Sequence, residues 1–165
     1  MVKLRRARRV RPSLSALLLP ICLLTCTWAV AAGGDAAAGK RKTVTCNGCH
    51  GQAGMRSMPS LGGQNLEYFV AAMRAYQDGV RTHATMRDVA KSYSDRDLKN
   101  FAAYYAENVA APADSDTPAP EAAARCAACH GAEGRETVTP DVPRLAGQKA
   151  PYVEQVLRDY RSGTR

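Results

Sequence analysis

The sequence predicts an all-α protein built from two tandem copies of one small helical domain, of which the second copy is incomplete. The segment Cys46-Asn47-Gly48-Cys49-His50 returns 80 positions later as Cys126-Ala127-Ala128-Cys129-His130. Apolar residues in the longer segments follow a helical spacing, and no convincing alternation of a β-strand is present. The second half repeats further landmarks of the first half and then ends early.

The repeated motif has the C-x-x-C-H spacing of a c-type haem attachment site, and a glycine follows it each time. Two thiols on one helical turn can each bond a vinyl group of one porphyrin, and the next histidine is then held against the iron. A zinc site shared by both motifs, or a redox dithiol, is the alternative. We predict two covalently attached c-type haems, held by Cys46, Cys49 and the iron ligand His50, and by Cys126, Cys129 and the iron ligand His130.

Residues 1–31 have the pattern of a secretory signal peptide. Six basic residues precede the apolar stretch from Leu14 to Val30, and Ala29-Val30-Ala31 fits the small-x-small rule for cleavage. Export agrees with the motifs, because c-type haem is attached outside the cytoplasm. A retained membrane anchor is the alternative, but the apolar stretch contains Pro20 and is short for a span of about 20 residues.

The net charge of +8 comes mostly from this leader. The leader holds 6 of the 23 Lys and Arg and none of the 15 Asp and Glu, so 17 basic residues face 15 acidic ones in the rest, a net charge of +2. That balance argues against nucleic-acid binding. Cys22 and Cys26 leave with the leader, and the four remaining cysteines all lie in the two motifs.

Residues 35–110 are predicted to form the first domain. Ser94 and Asp97 resemble a capping box, and Gly79 fits a helix stop. A domain of about 75 residues buries little core unaided, and a covalent haem would supply an apolar centre. The predicted helices are one from the N-cap Asp35 toward Cys46, one over Leu66 to Asp78, a short one around Val89, and one over Asp95 to Asn108.

Residues 111–120 are predicted to be a linker rich in Ala, Pro and Asp, and residues 121–165 a second domain that begins with a helix into Cys126. The first repeat continues past Arg81 through Met86 and a further helix, whereas the second stops at Arg165. We therefore expect a C-terminally truncated second domain, in a fragment or the product of an early stop. The pairs at an offset of 84 are Gly63-Gln64 with Gly147-Gln148, Tyr68 with Tyr152, Gly79 with Gly163, and Arg81 with Arg165.

These features resemble the class I c-type cytochromes, and their tandem order resembles the dihaem cytochrome c4 family. The resemblance covers nearly all of residues 35–165, and its more specific parts are Pro59-Ser60-Leu61-Gly62-Gly63-Gln64 and Pro143-Arg144-Leu145-Ala146-Gly147-Gln148. It implies a periplasmic electron carrier that is not an enzyme and that can associate peripherally with the membrane. The implied partners are redox proteins: a donor dehydrogenase or quinol-oxidising complex, and an acceptor oxidase.

The resemblance also implies roles for single residues. His50 would be the proximal ligand and Met86 the distal ligand of the first haem iron. Pro59 would accept a hydrogen bond from the His50 ring, as Pro143 would from His130, and so set the orientation of each imidazole. Arg81 falls where a contact with a haem propionate is expected, and a solvated arginine after a helix end is the alternative.

Met86 has several rivals as the distal ligand. Met73 lies on an apolar helix face and is expected in the core, whereas Met55 and Met58 follow His50 in a loop on the proximal side. His83 leaves bis-histidine ligation open. The second repeat contains no methionine, so the sixth ligand of its iron stays open.

The functional prediction is outer-sphere electron transfer between respiratory partners, toward a terminal oxidase. The alternative is the dihaem electron-transfer subunit of a flavin-containing, sulfide-type dehydrogenase. A catalytic haem with an open coordination position is a third option. No paired carboxylates, glycine-rich phosphate loop or nucleophile–base pair stands out in the sequence.

Overall fold

The computed structural model describes residues 33–51, 55–109 and 121–165. The predicted signal peptide and the predicted linker, residues 111–120, lie outside these ranges. Every regular element within them is helical, as the sequence predicts. The helices are α1 (Ala36–Lys42), α2 (Val44–His50), α3 (Leu66–Gln77), α4 (Ala84–Lys91), α5 (Asp95–Glu107), a 3₁₀ turn (Glu121–Ala123), α6 (Ala124–His130) and α7 (Ala150–Ser162).

The helix predicted to run from Asp35 toward Cys46 divides at Thr43. The Asp35 carboxylate accepts a hydrogen bond from the Ala38 N–H and so caps α1, as predicted. Thr43 is fully buried, and its hydroxyl donates to the carbonyl of Lys40. This bond competes with regular helix geometry and explains why the chain bends before the first cysteine pair.

The remaining predicted helices of the first repeat are present within one residue of their expected ends. Ser94 and Asp97 form the predicted capping box at the start of α5, with both reciprocal bonds made. Gly79 follows α3 with a φ of 77°, a conformation that favours glycine. The short helix expected around Val89 is α4.

One apolar core joins α3, α4 and α5. Tyr93 packs edge-on against Phe101 with ring centroids 4.8 Å apart, a favoured geometry for aromatic pairs. Cys46 packs against this core from α2 and Met86 from α4, both of them partly buried. The buried members are Phe69, Val70, Met73, Ala90, Leu98, Phe101, Ala102 and Tyr105.

Helix α1 crosses α5 at a glycine. A Cβ on Gly39 would overlap the carbonyl oxygen of Asn100 and lie 2.9 Å from the Cβ of Tyr104. The close approach lets α1 lead the chain directly into the first cysteine pair. The backbone of α5 therefore positions the helix that follows α1 and carries the first cysteine pair.

The second repeat is organised differently. None of its described residues, 121–165, is buried, and on α7 the side chains of Leu157 and Tyr160 are 60% and 57% exposed. Its loop is held by backbone bonds from Leu145 and Ala146 to the carbonyl of Gly134. Among the described residues, no helix has the length and apolar character needed to cross a membrane.

Replacing Gly39 with alanine is predicted to destabilise the first repeat by about 1–3 kcal/mol, because the added methyl group forces α1 away from α5. Guanidinium unfolding of the haem-loaded protein, followed by haem absorbance, measures the change. Gly48→Ala is the matched control, since no described atom outside its own helix lies within 4 Å of the added methyl group and the second repeat has Ala128 there. An equal effect of both substitutions would contradict the packing argument.

Candidate functional site

The first C-x-x-C-H motif occupies the exposed turn of α2. The thiols of Cys46 and Cys49 are free, with Cys49 exposed and Cys46 partly buried against the core. Burial raises the pKa of the Cys46 thiol, so the group is protonated at neutral pH. The hydroxyl of Tyr105, on α5, donates to the Asn47 side-chain oxygen at 2.9 Å and ties the motif to the core.

The His50 ring is hydrogen-bonded through one of its two nitrogens. Its Nδ1 lies 3.0 Å from the carbonyl oxygen of Pro59, so Nδ1–H donates to that oxygen and Nε2 stays available for a metal. Burial lowers the pKa of His50, which favours the neutral ring that ligates metals. The bond therefore sets both the tautomer and the orientation of the imidazole.

The second motif, on α6, repeats this arrangement. Cys126 and Cys129 are free and exposed, and the Nδ1 of His130 lies 2.7 Å from the carbonyl oxygen of Pro143. Gly131 ends the helix with a φ of 78°, which favours glycine. Both histidines therefore present Nε2 in the same way, beside two free thiols on the same helical turn.

This donor set fits covalent haem better than zinc. A tetrahedral zinc site needs four ligands. The described residues contain no group of three or more His, Cys, Asp or Glu that could hold a metal ion. Each motif instead offers two thiols for thioether bonds and one oriented imidazole for an axial position. The residues present thus suit two separate c-type haems.

Among the candidate distal ligands, Met86 and Met73 have different surroundings. Met73 lies in the core with 9% of its surface exposed, as the sequence predicts. Met86 is partly buried on α4, against the edge of the same core, while Met55 is 54% exposed. His83 caps α4, because its Nδ1 accepts the Met86 N–H at 3.3 Å. The assignment of Met86 as distal ligand stays a prediction.

Arg81 lies among aromatic rings. Its guanidinium donates to the Tyr68 hydroxyl at 3.0 Å and lies 5.5 Å from the centroid of that ring and 5.7 Å from that of Tyr76. The equivalent Arg165 contacts the Tyr152 hydroxyl and lies 5.4 Å from the centroid of Tyr160. The Tyr–Arg–Tyr arrangement is thus repeated, and the predicted propionate contact of Arg81 remains a prediction.

The two repeats contact each other through Gln64 and Gln148. The sequence shows that these glutamines are equivalent in the two repeats but does not indicate what they do. The amide of Gln64 makes two hydrogen bonds to the backbone of Arg144 in the other repeat. The amide of Gln148 does the same to the backbone of Ser60. Both targets directly follow the proline that holds a histidine, so the contact reaches both motifs.

The positions next to these glutamines extend the contact. Asn65 donates to the hydroxyl of Thr137 at 2.8 Å and to the carbonyl of Val142 at 2.6 Å. Its counterpart Lys149 donates to the carbonyls of Gly51 and Met55, at 2.9 and 3.0 Å. Each side chain therefore reaches the loop that follows the motif of the opposite repeat. The repeat of Gly-Gln-polar in the sequence was the signal that could have pointed to them.

Known proteins with similar sequences indicate which family has these features. No protein-family model matches the chain. It is 35% identical over 150 residues to a cytochrome c4 from Pseudomonas aeruginosa, covering 81% of this chain and 75% of that protein. It is 29% identical over 151 residues to a thiosulfate dehydrogenase electron acceptor from Thiomonas intermedia, covering 78% of this chain and 68% of that protein.

A solved structure gives the same result for the fold. The crystal structure of reduced recombinant cytochrome c4 from Pseudomonas stutzeri matches with a TM-score of 0.67 and 26% identity, over 80% of this chain and 83% of that one. The all-α prediction is confirmed by this likeness, and so is the prediction of two covalently attached c-type haems. The chain belongs to the cytochrome c4 family of dihaem electron-transfer proteins.

Proposed function

We propose that this cytochrome is a periplasmic carrier that takes electrons from a donor dehydrogenase or quinol-oxidising complex and delivers them to a terminal oxidase. The observation that carries the proposal is a hydrogen bond present in both repeats: His50 and His130 each bond through Nδ1 to a proline carbonyl. A fixed axial ligand lets the iron change its charge with little movement of the chain. That property suits a carrier that binds and transforms no substrate.

The proposal also assigns domains and residue roles within the chain. Residues 35–110 form one cytochrome domain and residues 121–165 the other, joined by a linker over residues 111–120. Cys46 and Cys49 hold the first haem, with His50 and Met86 as its ligands. Cys126, Cys129 and His130 hold the second haem, and Arg81 contacts a propionate.

The bound haems supply a one-electron iron couple whose potential depends on the axial ligands, burial and hydrogen bonding. The chain does the rest. Pro59 and Pro143 accept hydrogen bonds from the two imidazoles, and the core that contains Phe101 packs against Cys46 of the first motif.

A specific observation favours a second candidate, an electron acceptor for a dehydrogenase. The likeness to the Thiomonas intermedia protein, named as an electron acceptor of thiosulfate dehydrogenase, covers about as much of this chain as the likeness to cytochrome c4. In this alternative the chain is the electron-transfer subunit of a dehydrogenase, of the thiosulfate or the flavin-containing sulfide type, and the haem sites keep the same roles.

Stopped-flow mixing separates the two candidates. We expect oxidase-containing membranes to reoxidise the reduced protein at a rate that saturates with protein concentration, and a quinol-oxidising complex to reduce the oxidised protein. Reoxidation no faster than without membranes, together with rapid reduction by thiosulfate dehydrogenase and thiosulfate, would reject the first proposal in favour of the second.

Replacing Met86 with leucine is predicted to lower the potential of the first haem, because an axial methionine raises the potential of haem iron. The same variant should bind added imidazole at the freed position. Redox titration and imidazole titration of the purified protein measure the two effects.

Met55→Leu and Met58→Leu are the matched controls for that variant, since both residues follow His50 on the proximal side. Neither should change the potential or create an imidazole site. A shift in either control, with none in Met86→Leu, would transfer the ligand assignment to the residue that responded.

A further inference from the structure

The peptide group between Pro59 and Ser60 is hydrogen-bonded at both of its ends. Its carbonyl oxygen accepts from Nδ1 of His50 at 3.0 Å, and its N–H donates to Oε1 of Gln148 at 3.1 Å. The Nε2 of the same glutamine donates to the carbonyl oxygen of Ser60 at 2.6 Å. Gln148 of the second repeat therefore bonds to both backbone groups of Ser60, the residue that follows Pro59 in the first repeat.

The second repeat has the mirror arrangement. The peptide group between Pro143 and Arg144 accepts from Nδ1 of His130 at 2.7 Å and donates to Oε1 of Gln64 at 2.8 Å. Nε2 of Gln64 donates to the Arg144 carbonyl at 3.1 Å, and Nη1 of Arg144 donates to the carbonyl of Gly63 at 2.9 Å. Gln64 is only 7% exposed, so its two hydrogen bonds to the backbone of Arg144 are shielded from water.

Each histidine is thus the start of a short hydrogen-bonded chain that ends in the opposite repeat. One chain runs from His50 through a single peptide group to Gln148, and the other from His130 through a single peptide group to Gln64. The two glutamines occupy equivalent positions of the repeat. The contact is therefore reciprocal, and each repeat completes the support of the other's histidine.

Such a chain can change the ligand as well as hold it. Hydrogen bonds in series polarise one another, so an amide whose N–H is bonded has a stronger carbonyl acceptor. A stronger acceptor at Nδ1–H makes the imidazole a more basic ligand and stabilises the oxidised iron. Loss of the glutamine amide would also leave the Ser60 or Arg144 backbone groups without their partners, and the loop would shift to reach water.

We propose that Gln148 and Gln64 are positioning residues that tune the iron of the opposite repeat: Gln148 acts on the haem bound through His50, and Gln64 on the haem bound through His130. The inference rests on the proposed assignment of these histidines as iron ligands. It goes further by assigning part of each potential to the contact between the repeats.

The test is a crossed pair of substitutions in the full haem-loaded protein. Gln148→Met and Gln64→Met keep the side-chain length and remove the amide. Redox titration is followed by NMR, with the resonances of each haem assigned through contacts to its own cysteine helix, α2 or α6. We expect each variant to stabilise the reduced iron of the opposite haem about three- to tenfold, a rise of roughly 30–60 mV at 59 mV per tenfold for a one-electron couple.

A second readout follows the histidine itself. Exchange of the Nδ1 proton should become faster at His50 in Gln148→Met and at His130 in Gln64→Met. Gln155→Met is the control, because Gln155 lies on α7 and bonds to Asp159 of the same helix. It should change neither potential and neither exchange rate.

The proposal is overturned if each substitution shifts the haem of its own repeat as much as the opposite one, or shifts neither. A purely structural contact gives the second of these results: lower stability with unchanged potentials. If one variant does not fold, the other decides the test alone, since the two chains of hydrogen bonds are independent. Failure of the proposed function looks different: oxidase-containing membranes would then fail to reoxidise the unsubstituted protein, while the potentials of its two haems could still be titrated and compared with those of the variants.

Discussion

The structure depends on one constraint, that each motif histidine must keep its Nε2 free while its Nδ1 is bonded. Both repeats meet this constraint with a proline carbonyl, at 3.0 Å for His50 and 2.7 Å for His130. Proline suits the task because its fixed φ stiffens the loop that carries the carbonyl. In the proposed assignment the cysteines attach the cofactor, and this bond sets the orientation in which the imidazole would meet the iron.

The two repeats support that bond unequally. In the first, α1 packs on α5 at Gly39, Tyr105 anchors the turn of the motif, and a core of eight buried residues lies behind α2. In the second, none of the described residues is buried, and the loop after the motif is held by polar contacts with the first repeat. These polar contacts therefore tie the loop that follows the second motif to the first repeat.

Local signals explain which features could be predicted from the sequence. The motifs, the capping box at Ser94 and the helix stop at Gly79 depend on neighbours within a few residues, so their patterns are readable. The break at Thr43 was missed because it depends on the burial of one side chain. Asn65 occupies the N-cap position of α3 without a side-chain cap bond, because its amide bonds to Thr137 and Val142, and Gln64 bonds to Arg144. Partners more than 70 positions away leave no local pattern in the sequence. The presence of a glutamine at the same position of both repeats was the one indication that these residues have a shared role.

The intact mass of the mature protein, expressed with haem-attachment machinery in a periplasm, tests the central claim most directly. The account predicts the mass of the chain cleaved after Ala31 plus two haems, and the loss of one haem when Cys126 and Cys129 are both replaced by alanine. A mass with a single haem would contradict the assignment of the second motif. A mass without haem would contradict the account as a whole and return the two motifs to thiol or zinc chemistry.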